Sequence, residues 1–349
     1  MLKKIKRCAI LHNLGAASSK TTTKRGKSLG NCLRVCFTDG EKWGKIRIVS
    51  DAYILLCHQS PWQVNELAGY LSAAGHDVYI HVDAASSIAG QIETGERVKL
   101  VQRREKVVWA GWSVARATLN AIDEMPQRGR GYRYVHLLSG QCLPAMPVKK
   151  LDEILDQSAA EKVQYIECEI LPRRERWGRD GGIHRAGTWY PQWIVSKYSP
   201  WHRWFWPYTN KWIRLGLRRP LYFVFRPFYG GAQWWSLTGE CVSAIAEYAA
   251  KHPLYRYFYH HTFCSDELFF QTTLQRVGYG PYLKNANMRY LKWPFTDAPS
   301  PMDLKPQHWA EAWAGDAFYA RKFNHQPGET LAYLEKLEKS LHFEHKGVN

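Results

Sequence analysis

The sequence has 349 residues, 45% of them apolar, which is enough to bury a large core in one domain or in two closely joined domains, and which excludes a small stapled module. Its eight cysteines are scattered without a CxxC pair, and histidines do not cluster at zinc-ligand spacing, so we expect mostly reduced, buried thiols rather than a disulfide framework or a zinc site. The net charge of +17 is uneven, because residues 1–50 hold twelve Lys or Arg against two acids, and the rest of the chain is only mildly basic.

Residues 1–50 are predicted to be a basic and disordered leader, rich in Thr and Lys between positions 18 and 27. No run of about 18 apolar residues occurs, which argues against a membrane-spanning helix. The leader also lacks the apolar stretch of a secretory signal. A mildly basic body suits a protein that binds anionic small molecules or a membrane surface better than one that binds nucleic acid.

From residue 51 onward, short apolar runs alternate with helical patterns, which predicts βαβ units with parallel strands and right-handed crossovers. The predicted strands are 53–57, 78–83, 106–109, 134–138 and 163–168, and the predicted helices are 62–74, 113–125 and 147–157. This order indicates an open, doubly wound α/β domain, whose ligands bind beyond the carboxyl ends of the strands, where Asp83 and Ser139 lie. Neither GxGxxG after the first strand nor GxxxxGK[ST] is present, so a dinucleotide-binding or P-loop protein has little support.

An aromatic and basic insertion occupies about residues 189–230. Flat aromatic faces and cations suit sugar stacking or a membrane interface, whereas a well-packed insertion with its arginines extended to solvent remains an equal alternative. The chain ends in a helical pattern with Glu/Lys pairs at 329–342, which we expect to be a solvated cap. The predicted organisation is therefore a leader over 1–50, a catalytic domain over 51–325 and a terminal helix within 326–349.

The segment 261–274 carries the most informative carboxylate, Glu267. Ser265 or Asp266 could cap a helix whose apolar stripe includes Leu268 and Leu274, and this would place Glu267 in its first turn. There Glu267 could act as a general base tuned by partial burial, or could be a plain capping carboxylate.

A second segment, 317–323, sets Arg321 and Lys322 between aromatic residues. Fixed cations suit a diphosphate, whose developing charge they can stabilise in place of a metal ion. A solvated basic turn is the simpler alternative.

Six stretches resemble, in order and spacing, the core-2/I-branching β-1,6-N-acetylglucosaminyltransferase and peptide O-xylosyltransferase family, glycosyltransferase family 14. They are YIHVD (79–83), VVWAGWS (107–113), YVHLLSGQCLP (134–144), GGAQW (230–234), SDELFFQTTL (265–274), and SPMDLKPQ (300–307) followed by ARKF (320–323). The last stretch is closer to the xylosyltransferase branch.

The resemblance implies a GT-A-like fold, with a Rossmann-like open mixed sheet flanked by helices, and a UDP-sugar donor. It further implies metal-independent inversion that moves N-acetylglucosamine or xylose to a glycan or protein hydroxyl, with no cofactor. Glu267 would be the catalytic base. The implied donor-binding residues are Leu56, Asp83, Val108, Trp109, Gln233, Trp234, Ser300, Arg321 and Lys322. The sequence contains no Asp-x-Asp triplet of the kind that holds a cation in metal-dependent GT-A enzymes.

Two departures from the family pattern matter. Gln233 stands where the xylosyltransferases carry an acid, and the cysteines that flank the Ser-Pro stretch in the animal enzymes are absent. Together with the missing stem and anchor, this suggests a bacterial enzyme that is cytoplasmic or peripheral at the inner face of the membrane, with contact through the Trp/Arg-rich segment and no nucleic-acid partner. The alternatives are a non-enzymatic basic protein that binds an anionic polymer or a membrane, and a glycoside hydrolase using Glu267 with Asp266, which are adjacent and thus poorly placed to cooperate.

Overall fold

The computed structural model describes residues 50–344, except for 179, 196–198, 205–206, 209–210, 212–214, 216–217, 296–297 and 299. The predicted basic leader therefore lies outside the described residues, apart from Ser50, and so do Cys8, Cys32 and Cys36. Among the described residues, the remaining five cysteines are all free, and four of them are buried, as predicted.

A sheet of seven strands runs through the described part of the chain, in the order β10-β6-β9-β4-β1-β2-β3. Two smaller sheets, β11-β12-β5 and β7-β8, accompany it. The strands are β1 Ala52–Cys57, β2 Asp77–Val82, β3 Val98–Leu100, β4 Tyr134–Ser139, β5 Cys142–Pro144, β6 Gln164–Ile166, β7 Glu169–Ile170, β8 Tyr229–Gly230, β9 Trp235–Thr238, β10 Leu283–Lys284, β11 Arg289–Leu291 and β12 Tyr319–Arg321.

Helices cover both faces of the large sheet. They are α1 Pro61–Ala73, α2 Trp112–Glu124, α3 Val148–Ala160, α4 Arg174–Trp177, α5 Ile183–Gly187, α6 Gln192–Val195, α7 Tyr222–Phe225, α8 Gly239–Lys251, α9 Pro253–His260, α10 Phe269–Arg276, α11 Pro306–Trp313 and α12 Glu329–Glu344. Side chains of β1 alternate between two apolar cores, because successive residues of a strand point to opposite faces. Ile54 packs in the core with α2, α8 and α10, whereas Leu55 packs in the core with α1, α3 and α12.

Strand direction decides which residues can meet. β1 pairs in parallel with β2 and with β4, so the carboxyl ends of these three strands share one edge of the sheet. β9 is antiparallel to both of its neighbours, β4 and β6, so its amino end lies at that same edge. The predicted α/β fold class, a Rossmann-like open mixed sheet flanked by helices, is confirmed.

Two local predictions are wrong. Residues 106–109 are not a strand: Val107 donates its backbone N–H to the Asp83 carboxylate and Val108 donates to Ser113 Oγ, so side chains rather than a neighbouring strand hold this segment. The strand that pairs with β2 after the predicted crossover is β3 instead. The terminal helix α12 is more than a solvated cap, because its Tyr333 and Leu337 are fully buried in the core beside β1.

None of the described helices combines the length and the apolar character needed to cross a bilayer.

Candidate functional site

The carboxyl edge of the large sheet gathers the ends of β1, β2 and β4. Leu56 on β1 lies opposite Ser139 on β4, and the N–H of Asp83, directly after β2, donates to the Cys57 carbonyl at 2.9 Å. The segment 230–234 runs into the amino end of β9 at this same edge. Open α/β sheets bind their ligands at this position.

The residues predicted to hold the nucleoside lie together at this edge. Asp83 Oδ1 accepts from the backbone N–H of Ala85 at 2.8 Å and of Val107 at 3.4 Å, which ties the end of β2 to the segment carrying Val108. Trp109, the next residue, is half exposed and packs edge-on against Phe263. A carboxylate beside an accessible indole offers a hydrogen-bond acceptor and a flat apolar face to a ligand.

Glu267 ends a short 3₁₀ turn, Ser265–Glu267, and does not lie in the first turn of an α-helix as predicted. The helix α10 begins only at Phe269, because Leu268, with φ −124°, interrupts the helical backbone. The expected caps are also wrong: neither the turn nor α10 receives a side-chain capping bond. Instead the backbone anchors the segment, since Cys264 N–H donates to the Ala110 carbonyl at 2.8 Å. This bond joins the Glu267 turn to the predicted nucleoside side of the edge.

Arg185, on α5, forms an ion pair with Glu267 and stacks over the Trp177 ring at 4.8 Å. The Glu267 side chain nevertheless remains 32% exposed, so its carboxylate is both oriented and accessible. Sequence reasoning missed Arg185, which lies 82 positions away among many other basic residues. The sequence carries no signal that singles it out.

Asp266 lies beside Glu267 and differs from it in environment. Burial, together with the neighbouring Glu267 charge, raises the pKa of Asp266 to about 7. Its Oδ1 is buried without a hydrogen-bond partner in the described part of the chain. The turn therefore presents two carboxyl groups, of which Asp266 changes protonation state near neutral pH.

Arg321 and Lys322, the two cations predicted to bind the diphosphate, lie close to the carboxyl end of β4. β12 ends at Arg321, and Phe323 N–H donates to the Gln141 carbonyl, two residues past β4, at 2.9 Å. Lys322 Nζ lies 3.4 Å from Ser300 Oγ and 4.0 Å from Asp303 Oδ1. Ser300 and Lys322 are thus in contact, as the family resemblance implies for groups around one diphosphate.

Arg321 stacks its guanidinium over the Trp234 ring at 4.5 Å. Its Nη1 is buried and has no hydrogen-bond partner among the described residues. Buried polar atoms are normally satisfied, so a donor of this kind is a feature that an anionic ligand would explain.

The segment 230–234 connects the carboxylate side to the cation side. At one end, Gly231 N–H donates to the Glu267 carbonyl at 3.0 Å, and at the other end Trp234 lies under Arg321. Gly231 must be glycine, because a Cβ there would lie 2.0 Å from the Glu167 carbonyl oxygen. The predicted sugar-pocket residue Gln233, partly buried, lies between these two anchors. All ten predicted site residues therefore belong to segments that meet at one edge of the sheet.

A separate cluster that could hold a metal ion comprises Asp51, His76 and Asp152 at the amino end of β1. Arg133 already supplies a cation there, since its Nη2 donates to Asp51 Oδ2 at 2.5 Å and also to Asp152. The cluster therefore fits an ion-pair network better than a metal site. It also lies at the edge of the sheet opposite to Glu267.

Three comparisons with known proteins bear on this geometry. Residues 52–314 match the family described as Core-2/I-Branching enzyme. A bovine protein, beta-1,3-galactosyl-O-glycosyl-glycoprotein beta-1,6-N-acetylglucosaminyltransferase, is 25% identical over 154 residues, which are 39% of this chain and 35% of that protein. The chain thus matches about a third of the length of that relative. The crystal structure of mouse xyloside xylosyltransferase 1 in its apo form is similar with a TM-score of 0.33 and 13% identity, over 80% of this chain and 99% of that one, a likeness too weak to support an argument.

Proposed function

Because the chain belongs to the core-2/I-branching enzyme family and is therefore a glycosyltransferase, we propose that it transfers N-acetylglucosamine or xylose from a UDP-sugar to a hydroxyl of a glycan or protein acceptor, with inversion and without a metal ion. The observation that carries this proposal is the segment 230–234, whose one end is bonded to the Glu267 turn and whose other end lies under Arg321. A base and a leaving-group cation then face one edge of the sheet.

In the proposed reaction, the acceptor oxygen attacks the anomeric carbon while the bond from that carbon to the diphosphate oxygen breaks. Glu267 takes the proton of the acceptor hydroxyl, and the electron pair of the breaking bond leaves with UDP. Attack opposite to the leaving group converts an α-linked donor into a β-linked product. Arg185 keeps the Glu267 carboxylate in one orientation, which favours proton transfer because the base must lie within hydrogen-bond reach of its proton.

Charge builds on the diphosphate as UDP departs, and something must neutralise it. Arg321 offers a buried donor that lacks a partner among the described residues, and Lys322 offers an ammonium beside Ser300. Donors that are already oriented toward developing charge stabilise a transition state at little reorganisation cost. These two side chains would supply what a divalent cation supplies in metal-dependent enzymes.

The substitution Glu267→Gln tests the assignment of the base. It keeps the size of the side chain and removes its basicity, so we expect UDP binding to persist while transfer falls by about 10²- to 10⁴-fold. The matched control is Glu247→Gln, which alters another arginine-paired carboxylate, at 2.5 Å from Arg130, away from the site. Unchanged turnover in Glu267→Gln would remove the base assignment. If Asp266→Asn alone abolished transfer, the base would be Asp266.

The donor and the absence of a metal requirement need a separate experiment. A panel of UDP-sugars, tested for protection against thermal unfolding with EDTA present, should show stabilisation by UDP and by one or two of its sugars. Protection and turnover that both depend on manganese would overturn the role given to Arg321 and Lys322. Nucleic acid that bound as tightly to Glu267→Gln as to the wild type, without any UDP effect, would favour a non-enzymatic binding protein.

We also propose that the Trp/Arg-rich segment contacts the inner face of the membrane, from a cytoplasmic location. The insertion is only partly core: Tyr190 and Arg219 are buried, whereas Trp204 and Phe223 are 72% and 69% exposed. Large exposed aromatic residues beside cations suit a lipid interface. Sedimentation with vesicles that contain anionic lipid should fall for Trp204→Ala together with Phe223→Ser, whereas binding equal to that of the wild type would contradict the proposal.

A further inference from the structure

A cleft of about 450 Å³ opens between α2, α8 and α9, and none of the ten predicted site residues lines it. One of its walls is apolar and buried, and consists of Trp112, Leu119, Ala246 and Ala249. The volume falls in the range of small-molecule sites, which commonly combine apolar walls with a few polar groups.

The rim of this cleft is basic. Arg103, Arg116 and Arg256 line it, together with two histidines, against a single acid, Asp123. Both oxygens of that acid are occupied, since Oδ2 lies 3.2 Å from Arg103 and Oδ1 lies 2.9 Å from Arg128. Asp123 therefore leaves the charges of Arg116 and Arg256 unbalanced, and among the described residues only Arg116 has another carboxylate partner.

Arg256 is the cation most available to a ligand. Arg116 is engaged by Glu105 at 2.5 Å, whereas Arg256, which is exposed on α9, has no side-chain hydrogen bond or ion pair with any described residue. One turn further along α9, His260 Nδ1 lies 3.4 Å from His261 Nε2. Burial, His261 and Arg116 lower the pKa of His260, so nearby positive charge already disfavours its protonation and an anion bound beside it would relieve that repulsion.

From these observations we propose that the cleft between α2, α8 and α9 binds a small organic anion, whose phosphate or carboxylate contacts Arg256 and whose sugar-sized body packs on the Trp112 wall. The cleft has room for a molecule larger than a phosphate ion, and its apolar wall suits a partner with an apolar face. Arginine pairs with both kinds of anion through charge-assisted hydrogen bonds. The site is distinct from the proposed donor site and does not depend on the reaction assigned above.

Trp112 relates this cleft to the rest of the molecule. It lines the cleft and packs edge-on against Phe269 at 5.0 Å, two residues after Glu267. A ligand in the cleft therefore contacts a side chain that supports the Glu267 turn, yet its binding can be measured without any turnover.

Calorimetric titration tests the proposal. The probes are glucose 1-phosphate, glucuronate and uncharged glucose, added to the full chain at low ionic strength with saturating UDP present, so that the donor site is filled. We expect saturable binding of one or both charged probes and none of glucose. A charged probe that UDP displaces, or the absence of binding by both charged probes, would overturn the proposal. Preference for glucose 1-phosphate identifies a phosphate ligand, and preference for glucuronate identifies a carboxylate ligand.

Variants place the binding in this cleft. Arg256→Gln should weaken the charged probe by about tenfold, the loss expected for one charge-assisted bond. Ala250→Trp, at an exposed alanine of the cleft wall, should fill the cleft and abolish binding without disturbing the core. Lys251→Gln is the matched control, because Lys251 pairs with Glu247 at 3.8 Å, is absent from the lining and should bind as the wild type does. Equal affinities in Arg256→Gln and the wild type would refute the assignment.

Discussion

The two edges of the large sheet handle charge in opposite ways. At the amino edge, Arg133 is almost fully buried and bonds to three carboxylates, those of Asp51, Asp152 and Asp156. At the carboxyl edge, Glu267 is about one-third exposed, and Asp266 Oδ1 and Arg321 Nη1 are buried without a hydrogen-bond partner among the residues that the structure describes. The first arrangement pairs a buried cation with carboxylates, and the second leaves its carboxylate accessible and its cation without a carboxylate partner among the described residues.

This difference separates stability from function. Burying charges is favourable only when they are paired and hydrogen-bonded. Arg133 and its three carboxylates meet this condition at the amino edge, although Nε2 of His76 and Nε2 of His136 are buried there without a hydrogen-bond partner among the described residues. A sheet edge that binds a ligand contains polar groups that form hydrogen bonds only with that ligand. Leaving these groups without partners lowers the stability of the unliganded fold. Substitutions at the amino edge should therefore affect folding, and those at the carboxyl edge should affect transfer.

The largest effect is expected for Arg133→Met. It leaves the fully buried Asp51 carboxylate without its main partner, so the free energy of unfolding should fall by about 3–5 kcal/mol in urea denaturation. Transfer per folded molecule should stay near that of the wild type. Arg97→Met is the control, because Arg97 is 40% exposed and its ion pair with Asp77 should contribute at most about 1 kcal/mol. A loss of transfer in a stable Arg133→Met would break the contrast between the edges.

Arg321→Gln should show the reverse pattern. Losing the cation stacked on Trp234 removes stabilisation of the departing diphosphate, and we expect the transfer rate to fall by about 10²- to 10³-fold. Because the substitution also removes an orphan buried donor, the midpoint of unfolding should change little. The transfer rate and the unfolding midpoint, measured on one preparation, distinguish a role of Arg321 in transfer from a role in the core. A variant that is unstable but fully active per folded molecule would assign Arg321 to the core.

The sequence predicts features of the two edges that depend on neighbouring residues. It does not predict features that depend on contacts between distant positions of the chain. The central strands β1, β2 and β4 are predicted within one or two residues, because each is a short and mostly apolar run that is buried at all but one position. The run 106–109 has a similar composition yet forms no strand, because the distant Asp83 carboxylate binds its backbone. Composition alone cannot reveal such a competitor.

The site shows the same limit. The family pattern identifies Glu267 and Arg321, and the fold brings their segments together through 230–234. The Arg185 partner of Glu267 depends on a contact across 82 positions, and the 3₁₀ turn depends on the Leu268 backbone. Neither follows from local propensity.

Arg185→Gln should give an intermediate effect at the carboxyl edge. Without its ion pair Glu267 is less well oriented, and we expect the transfer rate to fall by about tenfold. The Arg185 charge also lowers the pKa of Asp266, so its loss should move that pKa above about 7 and displace the pH–rate profile toward higher pH. Arg185→Lys, which keeps the charge, should restore most of the profile. If the rate fell by the same factor at every pH, without displacement of the pH–rate profile, Arg185 would have only a structural role.

The smallest effect concerns the pH dependence of stability, which should have opposite signs at the two edges. Burial alone would raise the pKa of Asp51. The His136 imidazole, whose Nε2 lies 3.7 Å from Asp51 Oδ2, and the Arg133 guanidinium together lower this pKa below its usual range. The stability that Asp51 contributes is therefore present above its unfolded pKa and is lost in acid. Burial also lowers the pKa of His136 to about 4, so protonation of the unfolded chain favours unfolding as pH falls below about 6.5.

The pH dependence of stability from Asp266 has the opposite sign. Its folded pKa of about 7 exceeds its unfolded value, so the folded state binds the extra proton, and the stability from this group is complete below about pH 4 and lost as pH rises to about 7. Asp266→Asn should abolish that loss. Because Asp266 remains partly exposed, we expect the difference between variant and wild type to grow by only about 1–2 kcal/mol from pH 5 to pH 8. Urea denaturation at the two pH values measures it, and pH effects from other groups cancel in the comparison. A constant difference would mean that Asp266 is ionised throughout, and Glu267 would then share the turn with a second permanent charge.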